Sequence, residues 1–258
     1  MVVFSTWLHP LTLLILISLF FVVGIIEYFR FFESGKIQPQ LLLSVVAGLA
    51  IITGTFLQAE DYISTRLFAG FLAVPFLIFF AELFRRKEAF ALNIATSLSG
   101  IIFLALPLSL VFCLGYRQET GGSYDPVLIL GFFILLWLYD TGAYLVGSLL
   151  GRHLIMEKIS PAKTWEGLFG GWIIALGTAW ALSQLFTVLT LDRWMIMACI
   201  IVITGTLGDM TESGMKRMAG LKDSGSLLPG HGGVLDRIDS VLLSVPFVFI
   251  YLKVTGIL

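Results

Sequence analysis

Long apolar stretches recur along the chain, separated by short polar segments. Eight of them approach the roughly 20 residues that a membrane-spanning helix needs; they lie at about 10–29, 39–58, 67–84, 91–115, 126–149, 166–189, 194–211 and 238–256. The first stretch lacks a basic segment before it and a small-residue cleavage motif, so we expect a retained helix. The pattern predicts an all-α fold, a polytopic integral membrane bundle of about eight transmembrane helices, with roughly seven to nine as the range.

The composition is typical of a membrane-embedded chain. Of the 258 residues, 58% are hydrophobic and 13% are charged, whereas a soluble protein carries about 25% charged residues. The net charge of -1 provides no basic field for nucleic acid, so no nucleic-acid partner is expected. Both cysteines lie in apolar runs, which argues against a disulfide framework or a zinc site.

The basic residues predict the orientation of the chain in the cell membrane. Of the 16 Lys and Arg, twelve fall in the first, third, fifth and seventh loops and four in the others. Because short loops rich in these residues stay in the cytoplasm, loops 150–165 and 209–237 should be cytoplasmic and both termini outside. We divide the chain into N-terminal scaffold helices at 1–120 and a catalytic membrane region at 121–258.

Asp140, Glu27 and Glu82 are acidic residues that lie within predicted spans. Asp140 lies deep inside the fifth span, where a carboxylate is costly, so we expect it to face a wet cavity or a partner; a structural hydrogen bond between helices is the alternative. Glu27 and Glu82 lie near span ends. We expect these two to reach water and to have no functional role.

A polar stretch, Ser160–Gly171, opens the sixth span. Pro161 suits a helix start, and Ser160 or Thr164 could cap that helix. Lys163 and the free N–H groups of a helix start would also attract an anion. Capping and phosphate binding are both open on the residues alone.

The seventh loop, with the first residues after it, is dense in charge and glycine. Asp209 and Glu212 are three residues apart, as are Asp236 and Asp239, so each pair would share a helix face. Two such close carboxylates repel one another unless a cation lies between them, and Mg²⁺ prefers oxygen ligands together with phosphate oxygens. The alternative is a charged loop that is simply solvated.

The loop resembles the motif of phosphatidate cytidylyltransferases, also called CDP-diacylglycerol synthases. The residues that carry the resemblance are Ser213-x-x-Lys216-Arg217-x4-Lys222-Asp223-x-Gly225-x3-Pro229-x-His231-Gly232-Gly233-x2-Asp236-Arg237-x-Asp239, Asp140-x-x-Ala143-Tyr144, and Ser160-Pro-x-Lys163-Thr-Trp-Glu-Gly167-x2-Gly170-Gly171. The likeness covers roughly 130–245. Ala162 departs from the family, which commonly has lysine there.

The resemblance implies an enzyme of phospholipid biosynthesis, a nucleotidyltransferase that uses Mg²⁺ to convert CTP and phosphatidic acid into CDP-diacylglycerol and pyrophosphate. It implies a metal-binding role for Asp209, Asp236 and Asp239 and a catalytic role for these three and Lys222. The residues expected to bind substrate are Ser160, Lys163, Thr164, Lys216, Arg217, Asp223, His231, Gly232, Gly233, Arg237 and Asp140. A second cation is left open, and the resemblance is compatible with a homodimer.

Two other functions fit parts of the sequence. A CTP-dependent lipid kinase, resembling dolichol kinase, would transfer the γ-phosphoryl group to an alcohol. A transporter or channel would account for Asp140 and the glycine-rich helices. It would not account for metal-binding and phosphate-binding residues gathered in cytoplasmic loops, and a CDP-alcohol phosphotransferase is disfavoured because its Asp-Gly-x-x-Ala-Arg motif is absent.

Overall fold

The computed structural model describes residues 2–32, 36–85, 87–117, 123–221, 223–225 and 232–258. The described residues form eleven α-helices and one two-stranded hairpin. The helices are α1 (Val2–Leu8), α2 (Pro10–Arg30), α3 (Leu41–Ala59), α4 (Thr65–Ala73), α5 (Leu77–Arg85), α6 (Phe90–Gly100), α7 (Leu106–Cys113), α8 (Val127–Leu150), α9 (Trp165–Leu185), α10 (Leu191–Met218) and α11 (Leu235–Val254); the strands are β1 (Leu154–Met156) and β2 (Ser160–Thr164).

Seven helical stretches of the described chain are long and apolar enough to cross a membrane. Two of them are composite: α4 and α5 are joined by a 3₁₀ turn at Val74–Phe76, and α6 and α7 by a π-helical turn at Ile101–Ala105. Helix α11 is not among the seven, because charged residues occupy its first turn and its end. The predicted polytopic helical bundle is confirmed, and the chain is a multi-pass membrane protein.

Helices α8 and α9 pack closely because small residues line their contact. A Cβ on Gly167 would lie 2.7 Å from the Ala143 carbonyl oxygen, and one on Gly171 would lie 2.9 Å from the Ala143 Cβ. On α8, a Cβ on Gly142 would lie 2.5 Å from Ile174 of α9. Lipid gives no hydrophobic drive for helices to associate, so close backbone approach provides the packing energy.

Replacing Gly167 by valine should destabilise this helix pair by about 1–3 kcal/mol, the usual penalty for overpacking a filled interface. Gly177→Val is the matched control, because a Cβ there meets no atom within 4 Å. Thermal unfolding in detergent measures both variants. Equal Tm values for the two would show that close approach at Gly167 is unimportant.

Helix α11 joins two groups of helices. The first group consists of α8, α9, α10 and α11, in which each helix packs against the next one in the chain. The second group consists of α2, α3, α6 and α7. Helix α11 contacts both α2 and α7. The N-terminal helices therefore pack directly against the element that carries Asp236 and Asp239.

Local structure departs from the sequence prediction in two loops. Loop 150–165 folds into an antiparallel hairpin, in which Met156 pairs with Ser160 and Leu154 with Thr164. Ser160 and Pro161 therefore lie in a strand, and the expectation that they begin a helix is wrong. Helix α10 continues to Met218, so the first ten residues of the predicted loop 209–237 are helical.

The expectation that Glu82 reaches water is also wrong. The side chain is fully buried and accepts hydrogen bonds from Gln40 Nε2 at 2.6 Å and Asn93 Nδ2 at 2.7 Å. Arg85 Nη1 pairs with it at 2.8 Å. These contacts join the start of α3 to α5 and α6, so the buried carboxylate has a structural role.

Candidate active site

Four aspartates line a single cavity of about 380 Å³ between α8, α9, α10, α11 and the hairpin. The acidic residues are Asp140, Asp209, Asp236 and Asp239. The other polar side chains of the lining are Tyr139, Tyr144, Ser160, Lys163, Thr164, Thr206 and Ser240. Among the described residues, the lining therefore combines a concentration of negative charge with one cation and several hydroxyl groups.

The direction of each helix explains why these residues meet. Asp140 and Asp209 lie towards the C-terminal ends of α8 and α10, whereas Lys163 directly precedes α9 and Asp236 lies in the first turn of α11. Successive antiparallel helices bring these four chain segments to the same end of the bundle. The helix ends that flank the two polar loops are thus on one face.

Thr164 fixes the junction between the hairpin and α9. Its side-chain hydroxyl accepts a hydrogen bond from Gly167 N at 3.2 Å, and its backbone is extended, as is usual for a residue that caps a helix. The predicted capping role is therefore confirmed for Thr164 and wrong for Ser160. Because Lys163 precedes the cap, its position follows from the start of α9.

Lys163 is the cation of the cavity. Its Nζ lies 2.6 Å from Asp209 Oδ2 and 3.5 Å from the Thr206 carbonyl oxygen. The Lys163 ammonium also attracts the carboxylates of Asp140 and Asp239. Asp209 repels both of them. One lysine thus offsets part of the mutual repulsion of three carboxylates.

A second lysine lies between two further carboxylates. Lys216 Nζ lies 2.6 Å from Asp236 Oδ1 and also pairs with Glu212, one helical turn earlier on α10. Glu212 has no solvent exposure. A carboxylate buried to this extent is stabilised by an opposite charge beside it, which Lys216 provides.

Hydrogen bonds to both carboxylate oxygens hold Asp236 in place. While Oδ1 accepts from Lys216, Oδ2 accepts hydrogen bonds from Gly233 N at 2.8 Å and Ser224 N at 3.1 Å. Burial raises the pKa of Asp236, but Lys216 and these N–H donors outweigh it and lower the pKa to about 2. Asp236 is therefore ionised at neutral pH and fixed in orientation.

The cavity contains the type of ligand atom that Mg²⁺ binds. Four carboxylates supply the all-oxygen ligands that this cation prefers. Within the described ranges, no three acidic, histidine or cysteine side chains lie close enough together to hold a metal ion. Asp209 and Asp236 instead each direct an oxygen at a lysine, so the lysine contacts would have to open for a cation to bind.

Several predicted substrate-binding residues lie away from the cavity. Arg217 is exposed and donates to the Leu221 carbonyl oxygen, and Asp223 is exposed. Arg237 lines a separate apolar cavity with residues of α2 and α8, since successive helix positions point to different sides. Lys222 and His231 lie outside the described residues, so the structure says nothing of their predicted roles.

Gly232 and Gly233 form the approach to α11. Gly232 has a φ of +77°, a conformation that favours glycine, and a Cβ there would lie 3.0 Å from Asp236 Oδ2. These glycines therefore let the backbone approach Asp236 closely.

Three residues in or next to the candidate site were not predicted from the sequence. Tyr139 and Thr206 form a side-chain hydrogen bond in the cavity wall, and their polar tips within apolar spans were the available signal. Glu27 is 2% exposed and bonded to the start of α11. The expectation that Glu27 reaches water is therefore wrong.

The fold and the cavity define a polytopic membrane protein with an acidic, lysine-containing site at one end of its bundle. A profile of the Cytidylyltransferase family matches residues 1–255. The phosphatidate cytidylyltransferase of Staphylococcus epidermidis is 32% identical over 242 residues, covering 93% of this chain and 90% of that protein. That of Staphylococcus haemolyticus is 34% identical over 211 residues, covering 81% and 78%. The chain therefore belongs to the cytidylyltransferase family.

Proposed function

We propose that this protein transfers the cytidylyl group of CTP to phosphatidic acid, which yields CDP-diacylglycerol and pyrophosphate. The observation that carries the proposal is the cavity that holds four aspartates and Lys163 at one end of a membrane bundle. Membership of the cytidylyltransferase family, whose Staphylococcus members named above are phosphatidate cytidylyltransferases, supports the same reaction.

The groups present suit this chemistry because the lipid phosphate is already an anionic nucleophile. An oxygen of that phosphate attacks the α-phosphorus of CTP, and the bond from the α-phosphorus to the oxygen that bridges the α- and β-phosphates breaks. Pyrophosphate leaves with the electron pair of that bond. Such a displacement depends on positioning and on charge stabilisation more than on a protein nucleophile.

Asp209, Asp236 and Asp239 are the residues that we propose to hold Mg²⁺. The cation would draw negative charge from the phosphate oxygens and from the leaving pyrophosphate. Lys163 and Lys216 would bind phosphate oxygens once they release Asp209 and Asp236. Asp140 also lines the cavity and would keep it hydrated.

The cavity would open to both substrates at the cytoplasmic face. The predominance of Lys and Arg in the loops of this face favours a cytoplasmic orientation, and CTP would arrive from the cytosol. Phosphatidic acid would keep its acyl chains in lipid, which the adjacent ends of α8 and α9 border with exposed apolar side chains such as Leu149. A homodimer stays a prediction of the resemblance.

Radiolabelled CTP tests the proposal with purified protein, phosphatidic acid and Mg²⁺. Label in the α-phosphate should enter the lipid and pyrophosphate should be released. Transfer of γ-label to a lipid alcohol, with release of CDP, would identify a lipid kinase instead. Solute flux in proteoliposomes without CTP consumption would identify a transporter.

A further inference from the structure

Glu27 connects the first membrane-spanning helix to the start of α11. Its Oε2 accepts hydrogen bonds from Leu235 N at 2.8 Å and from the Ser224 hydroxyl at 3.1 Å, and its Oε1 accepts from Val234 N at 3.1 Å. The side chain is 2% exposed. Burying a carboxylate costs free energy unless hydrogen bonds compensate for the lost water, and these donors provide that compensation.

The backbone donors that Glu27 binds are those that a helix start leaves unpaired. The first N–H groups of a helix have no partner within it and need a capping group. Val234, the capping residue of α11, provides no side-chain bond. Glu27 provides the bond from another helix, and its negative charge also favours the positive end of the α11 dipole.

Glu27 and Asp236 hold the same two backbone segments. The Ser224 hydroxyl lies 3.1 Å from Glu27 Oε2 and 3.0 Å from Asp236 Oδ2. A hydroxyl has one hydrogen, so it donates to only one of these carboxylates at a time. Gly233 N donates to Asp236, while the next two N–H groups donate to Glu27.

Two glycines of the seventh-loop motif leave the space that Glu27 occupies. A Cβ on Gly225 would lie 2.2 Å from Glu27 Oε1, and a Cβ on Gly233 would lie 2.6 Å from Glu27 Oε2. Any larger residue would displace the carboxylate or the loop. The motif is therefore shaped around a side chain that lies about 200 residues earlier in the sequence.

We propose that Glu27 is a positioning residue for Asp236. By capping α11 and holding segment 223–225, it fixes the orientation in which Asp236 presents its carboxylate to the cavity. The metal-related part of this proposal rests on the proposed function, in which Asp236 binds Mg²⁺. The proposal that Glu27 holds segment 223–225 and the start of α11 in place does not depend on the proposed function.

Glu27→Gln is the decisive variant, because glutamine keeps the size but places an N–H₂ donor against a backbone N–H. Amide hydrogen exchange at 232–236 should become faster. The Mg²⁺ concentration for half-maximal activity should rise about tenfold, as when a group that orients a metal ligand is lost. The rise in Tm that Mg²⁺ produces should shrink at a fixed Mg²⁺ concentration.

Glu82→Gln is the matched control, since Glu82 is equally buried but bonded to Gln40, Asn93 and Arg85. It should lower Tm without changing the Mg²⁺ requirement or the exchange at 232–236. Gly225→Ala, which presses on the Glu27 carboxylate, should reproduce the Glu27→Gln effects and serves if Glu27→Gln folds poorly. Glu27→Asp, which keeps the charge, should restore part of the Mg²⁺ affinity.

The outcomes separate this proposal from the proposed function. Unchanged exchange at 232–236 together with an unchanged Mg²⁺ requirement in Glu27→Gln would overturn the positioning role. So would a Tm loss equal to that of Glu82→Gln with no other effect. If the wild-type protein makes no CDP-diacylglycerol, the proposed function fails, and hydrogen exchange still tests Glu27.

Discussion

Replacing Asp239 by asparagine is expected to lower turnover by roughly a thousandfold. Asparagine keeps the shape of the side chain but removes the charge that would hold a cation against the phosphates. Loss of about 4 kcal/mol of transition-state charge stabilisation corresponds to about three factors of ten in rate. The measurement is Mg²⁺-dependent formation of CDP-diacylglycerol, with thermal unfolding to show that the variant folds.

Asp192→Asn is the control for Asp239→Asn. Asp192 is an exposed aspartate in the first turn of α10, at the end of that helix opposite to Asp209. It should retain turnover within about twofold, as expected of a surface substitution away from the site. Near-normal Mg²⁺-dependent turnover in a folded Asp239→Asn protein would show that the metal assignment is wrong.

Replacing Lys216 by methionine should produce the largest loss of stability, about 3–5 kcal/mol. Methionine fills the space of the lysine stem but leaves Glu212 without its ion-pair partner at a position with no solvent exposure. Without Lys216, Glu212 is buried either as an unpaired carboxylate or as a protonated acid without its partner, and both states are more costly than the pair. Thermal or chemical unfolding in detergent measures the effect.

The double variant Lys216→Met/Glu212→Gln isolates the cause. Neutralising Glu212 should recover most of the lost stability, although activity should stay low because the phosphate-binding cation is absent. Lys163→Met is the comparison: its partner Asp209 has a side chain that is 35% exposed, so turnover should fall with little change in Tm. If the double variant is as unstable as Lys216→Met, the buried charge is not the cause.

The membrane helices could be predicted from the sequence because apolar length alone specifies them. Seven of the eight predicted spans correspond to helical stretches long and apolar enough to cross a membrane, and the eighth corresponds to α11. The end of α10 could not be placed, since its last turns carry charged residues that read as loop. The hairpin at 154–164 was also missed, because Pro161 and the residues after it favour a helix start.

The candidate site was predicted in part. Asp140, Lys163, Asp209, Asp236 and Asp239 are candidates from their chemistry together with the family resemblance, and they line one cavity. The role of Glu27 could not be predicted, because hydrogen bonds across about 200 residues leave no local pattern in the chain. The resemblance implies that Arg237 binds substrate, and helical geometry points its side chain to a different side from Asp236.

In the proposed reaction, the Lys163–Asp209 and Lys216–Asp236 pairs would make binding selective. A ligand that recruits Lys163 and Lys216 must compensate two separate carboxylates for the partners they lose. Inorganic phosphate alone brings no cation to replace the lysines, whereas a nucleoside triphosphate with its own divalent cation would supply an anion for the lysines and a cation for the carboxylates. Under the proposed function, the ion pairs would therefore favour the nucleotide over the abundant small anions of the cell.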